Sequence, residues 1–195
     1  MSMKPPKELR TLDDLLAQAE HYAWFCMGNS GRMAPTLFLL GDQGPLMFCP
    51  GVFAEVAHKD AFANLARLLC IAHDASAVVI AMEAWMKLAK PGETLDLTEP
   101  PSEAFDRQEV ITLMGESRGG PKQKILNIVR SGNHQFFGLV EATPQFDNVD
   151  GRFAGILPSP DLPSQDRLMA EALLKIKGVD VRKPGTTVRL TPPRR

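Results

Sequence analysis

The sequence predicts one α+β domain, in which helices pack on a mainly antiparallel sheet of five to six strands. The order of patterns is the first reason, because helix, hairpin, helix, meander and helix follow one another along the chain. The run Ala77 to Met86 is the second, because it is apolar at odd and even positions, as in a strand buried on both faces. Length is the third, since 195 residues, of which 44% are hydrophobic, suit one well-filled core.

Two helix patterns with a hairpin between them occupy the first part of the chain. Residues 1–10 are expected to form a flexible leader, and Thr11 is a suitable N-cap for the first helix. Two short apolar runs, Thr36 to Leu40 and Leu46 to Cys49, are separated by GDQGP, which is typical of a hairpin. The second helix is predicted from about residue 61 to residue 73, with an Asp at its start as a cap.

The second part of the chain continues from the buried strand into a meander and a last helix. A stretch rich in proline and carboxylates, Leu88 to Asp106, predicts a long solvated loop. Three more strands are predicted in RQEVITLMGES, PKQKILNIVRS and NHQFFGLVEA, which are separated by glycine-containing turns. Ser164 is a suitable cap for the last helix. The apolar stripe of this helix consists of Leu168, Met169, Ala172, Leu173 and Ile176, the pattern of a helix that packs on a core.

The domain is predicted to span residues 11–178, and residues 179–195 to form a basic tail or an edge strand around Thr186 to Leu190. The formal net charge of the chain is −1, but the charge is uneven: the last 21 residues carry +6 and the 174 residues before them −7. A nucleic-acid accessory protein is therefore one candidate function, because clustered cations bind phosphates. Its contact residues would be Lys175, Lys177, Arg182, Lys183, Arg189, Arg194 and Arg195. A tail that docks on the acidic body of the protein is the alternative.

Composition and spacing also argue against several classes of protein. No apolar run approaches the ~20 residues that span a bilayer, and the N-terminus is unlike a signal peptide, so we expect a cytoplasmic location and no membrane partner. Cys26, Cys49 and Cys70 lie far apart in apolar surroundings, which predicts reduced thiols. The four histidines lack the spacing of metal ligands, so neither a metal nor another cofactor is expected.

Glu83 interrupts the apolar run of the buried strand and is the sharpest candidate for chemistry. Desolvating an unpaired carboxylate costs several kcal/mol, so a buried one needs a partner, a hydrogen bond or a proton. A catalytic base with a raised pKa is one interpretation, and it implies a hydrolase or transferase that uses Glu83 with Glu109, Glu116 or a histidine. An open cavity beside Glu83 would be required for that function.

A structural role for Glu83 is the other interpretation. A salt bridge to Arg107, Arg118 or Arg130 would pin the acidic loop and the next strand to the sheet. Trp85, on the same face of the strand as Glu83, joins Arg107 and Arg118 in the candidate set of protein-binding residues.

Two resemblances add expectations to this sequence-based interpretation. The order of elements resembles that of roadblock and longin domains, which implies a dimerising scaffold, although the Leu88 to Asp106 excursion departs from it. The segments EAWM and PPSEAFDRQEVITLMGESRGG resemble uncharacterised bacterial, archaeal and phage proteins that share an EAW…P.SE..DR.EV pattern. This second resemblance implies that the strand, the acidic loop and the next strand form one unit, and it hints at a mobile genetic element. It implies no particular activity.

The leading prediction is a small cytoplasmic protein that acts by binding another protein rather than by catalysis. A mobile-element origin would make a host complex the target, which a compact acidic body can engage by imitating a phosphate surface. A homodimer is a further expectation about partners. The hydrolase or transferase and the nucleic-acid accessory protein are the two alternative functions.

Overall fold

The structure of the protein is a computed structural model that describes residues 8–50, 56–87, 103–142, 152–179 and 187–189. Three helices and seven strands follow one another in the order α1 (Leu12–Ser30), β1 (Thr36–Gly41), β2 (Gly44–Cys49), α2 (Val56–Ala72), β3 (Ala77–Met86), β4 (Gln108–Ser117), β5 (Gly120–Arg130), β6 (Phe136–Glu141), α3 (Ser164–Ile176) and β7 (Thr187–Arg189). Part of the predicted leader, most of the acidic loop and most of the basic tail lie outside the described residues.

The predicted α+β class is confirmed. The strands form one sheet in the order β6-β5-β4-β3-β1-β2-β7, in which β1 to β6 pair antiparallel. The short strand β7 pairs in parallel with β2 and forms one edge of the sheet. It lies within the segment for which the sequence predicted a basic tail or an edge strand. Helix, hairpin, helix, meander and helix occur in the predicted order. The similarity to roadblock and longin domains stays unconfirmed.

Two hydrophobic cores lie on opposite faces of the sheet. Val79 and Ala81 of β3 face the core that α1 covers, whereas Val78 and Ile80 face the core that contains α2 and α3. Successive side chains of a strand point to opposite faces, so a strand between two cores is apolar at every position. The first five residues of β3 are all buried, which explains the run that the sequence displays.

Local sequence signals account for the bounds of α1. The Thr11 hydroxyl accepts a hydrogen bond from the Asp14 amide at 3.2 Å, and the Asp14 carboxylate accepts one from the Thr11 amide at 2.8 Å. This capping box satisfies two amides that the first turn of a helix leaves unpaired. At the other end Gly31 has a φ of 68°, a left-handed conformation that suits glycine and stops the helix.

Helix α2 begins at Val56, one turn earlier than the sequence predicted. The segment VAHKD at its start contains neither glycine nor proline, so nothing local prevents the helix from forming there. Asp60, which the sequence suggested as the cap, lies inside the helix and forms an ion pair with Arg152. Among the described residues, no helix combines the length and the apolar character that crossing a membrane requires.

Gly41, at the end of β1, lies very close to His73, the residue that follows α2. A Cβ atom at Gly41 would lie 2.8 Å from the backbone oxygen of His73 and 2.9 Å from its Cβ. Since this oxygen also accepts the Asp42 amide at 2.9 Å, the backbone has little freedom to move away. We expect Gly41→Ala to lower the free energy of unfolding in urea by about 1–3 kcal/mol.

Gly28→Ala is the matched control for this prediction. Gly28 lies inside α1, and no atom lies within 4 Å of the Cβ position. Alanine is a better helix former than glycine, so this change should leave stability unaltered or raise it by up to about 1 kcal/mol. Equal stability of the Gly41→Ala variant and the wild type would contradict the close approach.

Candidate functional site

Glu83 lies near the end of β3, on the face of the sheet that α1 covers. Its partner across the ladder is Ile111 of β4, which belongs to the α1 core. Glu83 Oε1 accepts a hydrogen bond from the backbone amide of Met33, in the segment that connects α1 to β1. The carboxylate therefore ties this connection to the central strand.

The environment of Glu83 favours its neutral form. Burial raises the pKa of Glu83, because the charged carboxylate loses hydration there. The Met33 amide opposes this shift by bonding to the carboxylate, whereas the charge of Glu109 adds to it. Arg130 and Arg32 are close enough to lower the pKa, but the net direction is upward. The structure thus brings Glu83 and Glu109 near each other, as the catalytic interpretation requires.

Glu109 and Arg130 form an ion pair beside Glu83. Arg130 Nε and Nη2 donate to the two carboxylate oxygens of Glu109 at 2.7 and 2.6 Å, and both side chains are partly buried. Arg130 Nη2 also donates to the backbone oxygen of Gly31 at 3.1 Å. A two-pronged arginine pair is geometrically specific. Arg130, which the sequence suggested as a partner of Glu83, is therefore bound by Glu109. Both acids stabilise the chain between α1 and β1, Glu83 directly and Glu109 through Arg130.

The other two arginines lie in different places. The guanidinium of Arg107 stacks over the ring of the exposed Trp85, with its Cζ 4.6 Å from the ring centroid. Arg118 lies near Asp74, with a nitrogen-to-oxygen distance of 4.0 Å. Of the three residues in the predicted protein-binding set, the structure brings Trp85 and Arg107 together and places Arg118 elsewhere.

Glu116 is separated from the other two acids. It lies five residues further along β4 than Ile111, which corresponds to roughly 17 Å of strand, and its side chain is on the opposite face of the sheet. Glu116 Oε2 accepts the backbone amide of Leu157 at 2.9 Å. Glu116 therefore anchors the segment that precedes α3.

A cleft of about 420 Å³ opens beside Glu116, between the β4–β5 turn and residues 154–160. Its polar side chains include Glu116, Ser117 and Arg118. Each of the three already has a partner within the fold: the Leu157 amide for Glu116, the turn backbone for Ser117 and Asp74 for Arg118. These three polar side chains are thus engaged by partners within the fold.

No disulfide joins any two of the three cysteines. Cys70, a residue of α2, is fully buried, and burial raises the pKa of its thiol, with a further contribution from the charge of Glu116. A protonated, buried thiol is a poor nucleophile. Cys26 and Cys49 are partly buried, and the Cys49 sulfur lies 3.7 Å from the Tyr22 hydroxyl. Within the described part of the chain, no three His, Cys, Asp or Glu side chains form a group that could hold a metal ion.

The basic residues of the C-terminal segment are described only in part. Lys175 and Lys177 are exposed at the end of α3, and Arg189 belongs to β7. Outside the described residues lie Arg182, Lys183, Arg194 and Arg195.

Helix α3 carries an apolar face that points away from the protein. We call it the α3 outer face; it consists of Leu168, Met169, Ala172, Leu173 and Ile176. All five residues are exposed, and the exposed fraction reaches 81% for Ile176 and 66% for Leu168. The buried residues of α3 are Ala170 and Leu174, which face α2 and the sheet core.

The sequence-based expectation that the broad stripe of α3 packs on the core is therefore wrong. Two contacts explain the orientation. Ala170 is small, so α3 lies close to α2, and Arg167 forms an ion pair with Asp42 in the β1–β2 turn at 2.8 Å. A signal was present in the sequence, because Ala170 and Leu174 are spaced i, i+4 and form a second, narrower apolar stripe. Periodicity alone does not reveal which of two stripes is buried.

Comparison with known proteins gives no relative to guide the choice of site. No family model, curated protein or solved structure matches this chain. The choice therefore depends on the geometry of the described residues.

Substitution of Glu83 distinguishes its role as a hydrogen-bond acceptor from a role of its charge. Gln retains an oxygen that accepts the Met33 amide, whereas Ala leaves that amide without its partner. We expect Glu83→Ala to lower the free energy of unfolding by about 1–3 kcal/mol. Glu83→Gln should be at least as stable as the wild type at neutral pH, because the net effect of the site on the charged form is unfavourable.

The pH dependence of stability provides the second measurement for the same pair of variants. A raised pKa means that the folded state keeps a proton that the unfolded chain has lost. The stability contributed by protonated Glu83 is complete below the ordinary value of 4.5 and is lost as the pH rises through the raised pKa. Wild type should lose stability relative to Glu83→Gln across this window. An equal loss of stability in the Gln and Ala variants at neutral pH would instead show that the charge is required.

Proposed function

We propose that the protein is a protein-binding module and that the α3 outer face is its binding surface. The observation that carries the proposal is the exposure of four large apolar side chains on one side of a helix, Leu168, Met169, Leu173 and Ile176. Single exposed apolar residues are normal in monomeric proteins, but a contiguous group marks a surface that binds a partner.

The spacing of these residues indicates the chemistry of the partner. Met169, Leu173 and Ile176 are spaced i, i+4 and i+7, which is how an amphipathic helix presents anchors to a groove or to another helix. The expected partner is therefore an apolar protein surface, either a groove or another helix.

The α3 outer face is supported by a fixed framework, which favours binding. Leu174 is fully buried, and Arg167 is bonded to Asp42 across the gap to the β1–β2 turn. A helix that is already held in place loses less conformational freedom when a partner binds.

We favour binding over a hydrolase or transferase function because the two adjacent acids are engaged within the fold. Glu83 accepts the Met33 amide and Glu109 binds the fork of Arg130. The cytoplasm is the compartment that we propose, since cysteines that form no disulfide are typical of it. A host complex as the target is retained from the sequence-based expectation and stays a prediction.

Photo-crosslinking in the native cell tests this proposal. A benzoylphenylalanine residue placed at Leu173 should form a covalent adduct with a protein. The same residue placed at Phe25, which is 61% exposed on α1, should form little or none. The change Ile176→Lys, introduced into the Leu173-labelled protein, should abolish the adduct because it puts a charge into the apolar contact. Equal adduct yields from the Leu173 and Phe25 positions would contradict the proposed surface.

A further inference from the structure

We infer that the partner of the α3 outer face is the same helix of a second copy, paired antiparallel about a two-fold axis. This inference rests on the proposed function, since it uses the same surface. It is carried by the arrangement of charged and apolar residues along α3, which is complementary to itself when the helix is reversed.

Two opposite charges flank the α3 outer face on the same side. Asp166 lies in the first turn of α3, and Lys177 caps its end. Lys177 follows Asp166 by eleven residues, which correspond to about three turns, so both residues project from nearly the same side of the helix. When two such helices pair antiparallel about a two-fold axis, equivalent flanks meet. Asp166 of each copy then lies beside Lys177 of the other, which gives two ion pairs.

The apolar residues are arranged about the same point. The midpoint between Asp166 and Lys177 falls between positions 171 and 172. Reversal about this midpoint brings Leu168 of one copy near Ile176 of the other, and Met169 near Leu173. Ala172 lies beside the axis, where a small side chain lets the two helix backbones approach.

Electrostatics favours the antiparallel arrangement over the parallel one. A parallel pair about a two-fold axis would place Asp166 beside its own copy and Lys177 beside its own copy, which is repulsive. The antiparallel pair also sets the positive end of each helix dipole next to the negative end of the other.

The size of the surface predicts a weak dimer. A helix of 13 residues is about 20 Å long, so one face of it covers less than the ~800 Å² that each partner contributes to a standard interface. We therefore expect a dimer in rapid exchange with the monomer, with a dissociation constant in the micromolar range.

Sedimentation velocity of the full chain tests whether the α3 outer face is the dimer contact. Between about 1 μM and about 1 mM, the range in which weak association is measured, the wild type should pass from monomer to dimer. Ile176→Lys should remain monomeric throughout. Phe25→Lys, which changes an exposed apolar residue of α1, should dimerise as the wild type does.

A charge exchange tests the antiparallel geometry. Asp166→Lys and Lys177→Asp, made singly, should each weaken the dimer by about tenfold, because each replaces two attractive pairs by two repulsive ones. The double variant should regain wild-type affinity to within about threefold, since the pairs are restored with their signs exchanged. Circular dichroism and thermal unfolding of each variant show whether α3 remains folded.

Each of the remaining outcomes overturns the inference. A wild type that stays monomeric up to about 1 mM would rule out self-pairing. A dimer that survives Ile176→Lys would use another surface, and a double variant as weak as the single ones would exclude the antiparallel register. Proposed function and inference fail separately: with a monomeric wild type, a Leu173 adduct to a different protein retains the binding module. With a monomeric wild type, an intramolecular adduct or the absence of any adduct would contradict both the proposed function and the inference.

Discussion

The burial of β3 on both faces is the constraint from which the rest of the structure follows. Val79 points into the core under α1, and Val78 points into the core of α2. A shift of one residue in the pairing of β3 would exchange the two sets of side chains between the cores. The register with β1 and β4 is therefore fixed, and both helices must cover the sheet where β3 is apolar.

The position of Glu83 follows from the point at which β3 leaves these cores. Burial is complete as far as Ala81 and falls over the rest of the strand. A carboxylate there is tolerated because the chain that leaves α1 passes beside it and supplies the Met33 amide. Arg130 adds a second contact with the chain that leaves α1, since it links Glu109 to the backbone of Gly31. The interruption of the apolar run thus marks where the sheet meets the end of a helix.

Much of the fold could be predicted from the sequence, but the hydrogen-bond partners of Glu83 and Arg130 at the end of α1 could not. The two-sided apolar run and the hairpin punctuation are local patterns, and the sheet reproduces them. A contact such as that of Glu83 with Met33 joins residues fifty positions apart through a backbone amide, which has no signature in sequence. The orientation of α3 depends likewise on a distant residue, because Asp42 fixes Arg167 from another element.

The orientation of α3 places its larger apolar side in water. Burial of a large apolar side chain stabilises by about 1.5–3 kcal/mol, far more than the exposed ion pair between Arg167 and Asp42 contributes. Packing contributes besides the ion pair, because the side chains that α3 turns toward the protein are the small Ala170 and the buried Leu174. Asp166 and Lys177, with the apolar residues between them, are arranged about one point, as the two-fold axis that we propose at α3 requires.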